Sequence, residues 1–99
     1  PTLPVGLVAL DEASHEMTGP SAFQKITRWA EAYATEVHRL AARGAAVVLL
    51  PEGALRLNQP GDTAALAALR RAARHHGITV VVGCSDYRRP PARNAALVI

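Results

Sequence analysis

Acidic residues are few in this 99-residue chain, eight against eleven Lys and Arg. The placement of each therefore carries information, and one stands out. Glu52 follows Pro51 at the end of the apolar run 45–50, within AAVVLLPEGALRL (45–57). A proline cannot donate to a sheet ladder, so Pro51 marks where strand pairing stops. In open parallel sheets, ligands bind beyond the carboxyl ends of the strands. A carboxyl held there among Leu49, Leu50, Leu55 and Leu57 is partly desolvated, which favours its neutral form and moves it toward use as a general acid or base. The same spacing also fits a plainer role, in which Glu52 opens a surface loop and pairs with Arg56.

Other groupings point less far. The stretch DEASHEMTGP (11–20) collects Asp11, Glu12, His15 and Glu16. Their spacing matches no metal-ligand pattern, and an exposed polar loop is the expectation. Cys84 sits beside Ser85 and Asp86, a neighbourhood that could suggest a nucleophile; a small buried thiol is the better reading. As the single cysteine it excludes an internal disulfide. The run YRRPPAR (87–93) has one aromatic and reads as a solvated basic face, so no nucleic-acid partner is expected. No glycine-rich phosphate loop follows the first apolar run, and neither a cofactor nor a metal is expected.

These residues need elements to hold them. Four short apolar runs read as strands: VGLVAL (5–10), AVVLL (46–50), ITVVV (78–82) and AALVI (95–99). Their unbroken hydrophobicity points to strands covered on both faces. Between the first two, Phe23, Ile26, Ala30, Tyr33, Val37 and Leu40 recur at steps of three and four, one face of a helix. Ser21 and Gln24 form a capping box at its start, and Gly44 falls where a left-handed cap would end it. Gln24, Lys25, Arg28, Glu31, Thr35 and Arg39 make the water-facing side. A second helix fits 63–76, with Asp62 as its N-cap, Leu66, Leu69 and Ala73 inside, and Gly77 ending it. The order predicts an α/β fold: a βαβαβ unit with a mostly parallel sheet and both helices on one face.

Hydrophobic residues make up 49% of the chain and charged ones 19%, which is globular chain. Only four residues are aromatic and many are alanine, so the core is thin and gains from a neighbour's cover. No apolar run approaches the roughly 20 residues of a membrane span, and no signal peptide is legible. The start at Pro1 and the end inside AALVI lead us to expect one domain over 1–99 that is the amino-terminal half of a larger one.

The ordered set of segments resembles the nitrilase, or carbon–nitrogen hydrolase, superfamily. AARGAAVVLLPEGAL (41–55) is similar to its helix end, hydrophobic strand and closing Pro-Glu pair. ARHHGITVVVG (73–83) is similar to the next helix end and strand, ARNAALVI (92–99) to the strand after that, and VGLVAL to the first. The resemblance implies an αββα sandwich and attack on amides, nitriles or acyl esters by a cysteine, through a thioester. It implies a general base at Glu52, the Pro-Glu position. The family's lysine and cysteine match nothing here: Lys25 lies on the polar helix face, and Cys84 falls where the family has a small residue. The chain alone is expected to be inactive.

Only about ten residues separate Glu52 from the second helix, a compact linkage similar to apolipoprotein N-acyltransferases, as is PEGAL. Leu50 departs from that branch's tryptophan, and the first strand lacks its Gln-x-Asn continuation. The branch implies a membrane-attached parent on the extracytoplasmic side of the inner membrane; a soluble amidase or nitrilase would be cytoplasmic. The expected partner is a small-molecule or acyl substrate, with pairing into a homo-oligomer through exposed edges. The alternative of another class is a non-catalytic α/β module that binds a ligand or partner.

Overall fold

The computed structural model describes residues 3–8, 22–51, 54–57, 60–88 and 90–99. The elements in chain order are β1 (Val5–Leu7), α1 (Ala22–Ala42), β2 (Val47–Leu49), β3 (Leu55–Leu57), a 3-10 helix (Pro60–Leu66), α2 (Ala67–His76), β4 (Thr79–Asp86) and β5 (Arg93–Val98). The chain is an α/β protein with a mostly parallel sheet.

β1, β2 and β4 run parallel, with Leu7 opposite Leu49 and Leu49 opposite Val81. β5 lies antiparallel along the far edge of β4, from Val81↔Val98 to Asp86↔Arg93. That leaves β2 and β3 to share the other edge of β4, where β3 pairs parallel from Leu55↔Cys84 to Leu57↔Asp86. β2 and β3 are thus two parts of one interrupted strand. Between Leu49 and Leu55 lie five residues, yet only two lie between their partners Val81 and Cys84. Three extra residues leave the ladder there.

Alternation of side chains divides the sheet into two unlike faces. Val8, Val48, Leu50, Leu55, Leu57, Val80, Val82 and Cys84 join the core with Ile26, Ala30, Tyr33 and Val37 of α1 and Leu69, Ala72 and Ala73 of α2. The two helices pack on each other as well as on the sheet, as right-handed crossovers require. The other face carries no layer among the described residues. Leu7 and Val98 are 73% and 72% exposed there, with Val5 and Leu49 beside them. The expectation of cover on both faces therefore holds for one face within this chain.

α1 follows its periodicity closely. Ile26, Ala30, Tyr33 and Val37 are buried and Leu40 half-buried, while Gln24, Lys25, Arg28, Glu31, Thr35 and Arg39 are exposed. Ser21 and the Phe23 side chain lie outside the described residues. Gly44 (φ 100°) and Gly77 (φ 64°) occupy the left-handed region at the two helix ends, where a side chain would be strained. The second helix differs from expectation at its start. Residues 60–66 wind as a 3-10 helix, and Leu66 leads into α2 without a side-chain cap. Asp62 is buried and does not cap the α-helix. Leu66 and Leu69 are fully buried all the same, where the 3-10 helix and α2 both pack on α1.

Gly6 sets how closely α1 approaches β1. A methyl group there would lie 2.9 Å from Leu40 Cδ1, 3.3 Å from Leu40 Cβ and 3.4 Å from Ala45 Cβ. The Leu40 tip can rotate away, but its Cβ moves only with the helix. Gly6→Val is expected to cost about 1–3 kcal/mol by overpacking, measured as a lower urea midpoint. An unchanged midpoint would show that the end of α1 yields freely.

Candidate active site

The carboxyl ends of β1 and β2 lie side by side, Leu7 opposite Leu49, while β4 runs on past Val81 to Asp86. Leu50 N–H still donates to the Val81 carbonyl (2.9 Å), so pairing persists up to Pro51. The ladder then stops, as a residue without an N–H dictates. Ala54 N–H donates to the Pro51 carbonyl (3.1 Å), which ties together the two ends flanking positions 52 and 53. Pairing resumes at Leu55. Glu52 itself lies outside the described residues, as do Asp11, Glu12, His15 and Glu16 of the acidic loop. Leu50, Ala54 and Leu55, which flank positions 52 and 53 in the chain, are buried in the core.

A hollow of about 320 Å³ adjoins this point, lined by Leu50, Val81, Gly83, Asn94, Ala95 and Ala96. Its origin is simple. Val81, Gly83 and Ser85 of β4 share the open face with Val98, Ala96 and Asn94 of β5. Gly83 has no side chain and its partner Ala96 only a methyl, so the sheet surface dips between larger neighbours. A second, more polar hollow of about 180 Å³ borders it at Asn94, with Ser85, Tyr87, Ala92 and Arg93. Asn94 links the two. Sequence reasoning did not single out Gly83 or Asn94 as site residues. The available signal was a glycine and an asparagine in facing strands of otherwise apolar chain.

Cys84 is no nucleophile in this arrangement. It is 1% exposed and packs on the helix side of β4, with Sγ 3.8 Å from the Val82 carbonyl. Burial pushes its thiol pKa up, and the nearby Asp86 carboxylate adds to that, so the thiolate needed for attack is disfavoured. Thiol reagents at neutral pH should label Cys84 only after unfolding; labelling of the folded protein at the rate of a free thiol would contradict its burial. Asp86 is also committed elsewhere. Arg88 grips it through Nε and a terminal nitrogen, each 2.9 Å, and through its backbone N–H at 3.0 Å. These bonds hold the Asp86 carboxyl far below the usual carboxylate range, which removes it as a base for any neighbouring thiol.

The remaining residue types stay apart. Arg56 points away from the core, with its guanidinium 4.4 Å from the Tyr87 ring centroid. Lys25 is exposed on α1. Among the described residues, no three or more His, Cys, Asp or Glu side chains form a metal-binding group, and no helix is long and apolar enough to cross a membrane. Among the described residues, the site offers a small apolar hollow and the Asn94 amide beside the break in the ladder. No family model, curated protein or solved structure matches this chain.

Proposed function

We propose that this chain is the base-bearing segment of a carbon–nitrogen hydrolase-type enzyme, with Glu52 as general base for acyl transfer or amide hydrolysis. The observation that carries this reading is the interrupted strand. Three residues leave the ladder between β2 and β3, at the carboxyl end of β2 and next to a hollow. A break in pairing between Leu50 and Leu55 suits a strand-end base, because pairing on both sides keeps its ends from drifting. The resemblance of 41–55, 73–83 and 92–99 to that superfamily supports the same reading. So does the open apolar face, which suits a sandwich in which a second sheet covers the first.

In the proposed reaction Glu52 accepts the proton of a cysteine thiol, and the thiolate attacks the carbonyl carbon of an amide or acyl ester. The amine or alcohol leaves with that proton, and a thioester remains. Glu52 then takes a proton from the incoming water or amine as it displaces the thiol. The cysteine, and the lysine that steadies the oxyanion, would come from outside this sequence. The acyl acceptor distinguishes an N-acyltransferase, to which the compact PEGAL linkage inclines, from an amidase.

The test uses the longest natural polypeptide that contains this sequence. Incubated with p-nitrophenyl esters and short amides, it should gain the mass of the acyl group at a cysteine other than Cys84. Hydroxylamine should remove that mass. A polypeptide that turns over none of these compounds and forms no adduct would instead support a non-catalytic ligand-binding module.

A further inference from the structure

At the end of the helix layer remote from Pro51, three imidazoles meet. His38 comes from the last turns of α1, and His75 and His76 end α2. His38 Nδ1 and His76 Nε2 face each other at 2.7 Å, one ring donating its N–H and the other accepting. His75 stands nearly perpendicular to His76, with ring centroids 4.8 Å apart and 6.1 Å from His38. We propose that His38 and His76 form a two-imidazole site for a borderline divalent transition-metal ion such as Ni²⁺, Cu²⁺ or Zn²⁺, clipping α1 to α2, with water completing the coordination.

Four features carry the assignment. The two nitrogens already converge, and their ring planes differ by 67°, so neither ring blocks the other's lone pair. Two imidazole ligands about 2.0–2.1 Å from a tetrahedral ion lie roughly 3.3 Å apart, so the 2.7 Å pair needs only a small side-chain rotation to admit one. His38 is exposed and His76 half-buried, which leaves room for that rotation and for water ligands. Finally, α1 and α2 run parallel, and both carboxyl ends lie here. Each carries the negative pole of its helix dipole, which favours a cation.

Local charge does not defeat the site. Arg39, the nearest arginine along α1, is held by Glu36 through its Nε at 2.8 Å and a terminal nitrogen at 2.6 Å. Arg70, Arg71 and Arg74 lie on α2, and Arg74 joins Arg70 around a separate groove with Gly77, Ile78 and Ile99. Proton balance is simple. The donor ring shifts its proton to its outer nitrogen, His38 Nε2 or His76 Nδ1, so binding to the neutral pair releases none.

The experiment is calorimetric titration of the longest natural polypeptide containing this sequence with Ni²⁺, at pH 7.5 and again at pH 5.5. His38→Ala and His76→Ala should each weaken one ion's binding at least tenfold, and the double variant should be little worse than either. His75→Ala should change that affinity less than threefold. Binding should fade at pH 5.5, where protonated imidazole no longer ligates. At saturation the ion should raise the thermal midpoint by about 5 °C or more, with EDTA reversing the shift. All three histidines lie at helix ends outside the core, so circular dichroism should show the variants folded. Equal affinity and stoichiometry in wild type and double variant would overturn the proposal. Loss in only one single variant, or an equal loss in His75→Ala, would overturn the two-residue assignment.

Discussion

Glu52→Gln should lower the turnover of the full-length polypeptide by about 10²–10⁴, the usual contribution of a positioned general base. The amide is nearly isosteric with the carboxylate but accepts no proton at neutral pH. The frame that holds position 52 is backbone: Pro51 to Ala54 by one hydrogen bond, Leu50 to Val81 by another. Neither involves the side chain, so the variant should unfold at the same urea concentration as wild type. A split between lost rate and kept stability is the signature of a chemical role. If Glu52 only opens a surface loop, both quantities stay near wild type, and activity within threefold of wild type would remove it from the mechanism. Glu52→Asp separates the two parts of the role further. It keeps the base and withdraws it by one methylene, so it should retain more activity than the glutamine variant.

Tyr33→Ala should be the most destabilising single change in the helix layer. Tyr33 is fully buried and the largest such side chain among the described residues. It lies mid-way along α1, in the core shared by the sheet and α2. Truncating a buried aromatic costs about 3–5 kcal/mol, through lost burial and the cavity left behind. Domains commonly hold only about 5–15 kcal/mol in all. With few other aromatics and many alanines around it, this core has little large-side-chain volume with which to collapse into the gap. Urea denaturation should show the loss directly, and Tyr33→Phe should recover most of it by refilling the space. A loss below 1 kcal/mol for the alanine variant would mean that α1 is held chiefly by other contacts.

The helix periodicity of 23–40 was readable because a water-facing helix must alternate every three to four residues, and α1 obeys this at each described position. The two glycine stops were legible for a related reason: only glycine enters the left-handed region cheaply. The 3-10 start of the second helix was not. Pro60, Gly61 and Asp62 are good turn and cap residues, and nothing local distinguishes a 3-10 turn from an α turn. The choice falls to how Leu66 and Leu69 must meet α1.

The site divides along the same line. Pro51 announces the end of pairing, and a Pro-Glu pair at a strand end is visible without coordinates. The resumption of the ladder at Leu55 is not, since LRL is too short to read as a strand. It exists because β4 runs on past Gly83 to Asp86 and offers an unpaired edge. The Gly83–Ala96 hollow and the meeting of His38 with His76 join residues 13 and 38 apart in the chain, through registers and crossovers that no local pattern encodes.

By itself, then, the sequence determined the α/β class, the order of four strands and two helices, the buried stripe of each helix, and the stops. Those properties depend on neighbours along the chain. Only the tertiary structure decided that one strand is broken in two, that Cys84 is sealed beneath the sheet, and that an apolar face stays open opposite the helices. Those outcomes depend on which backbone edges find partners and which side chains find space, and both are settled between segments far apart in sequence.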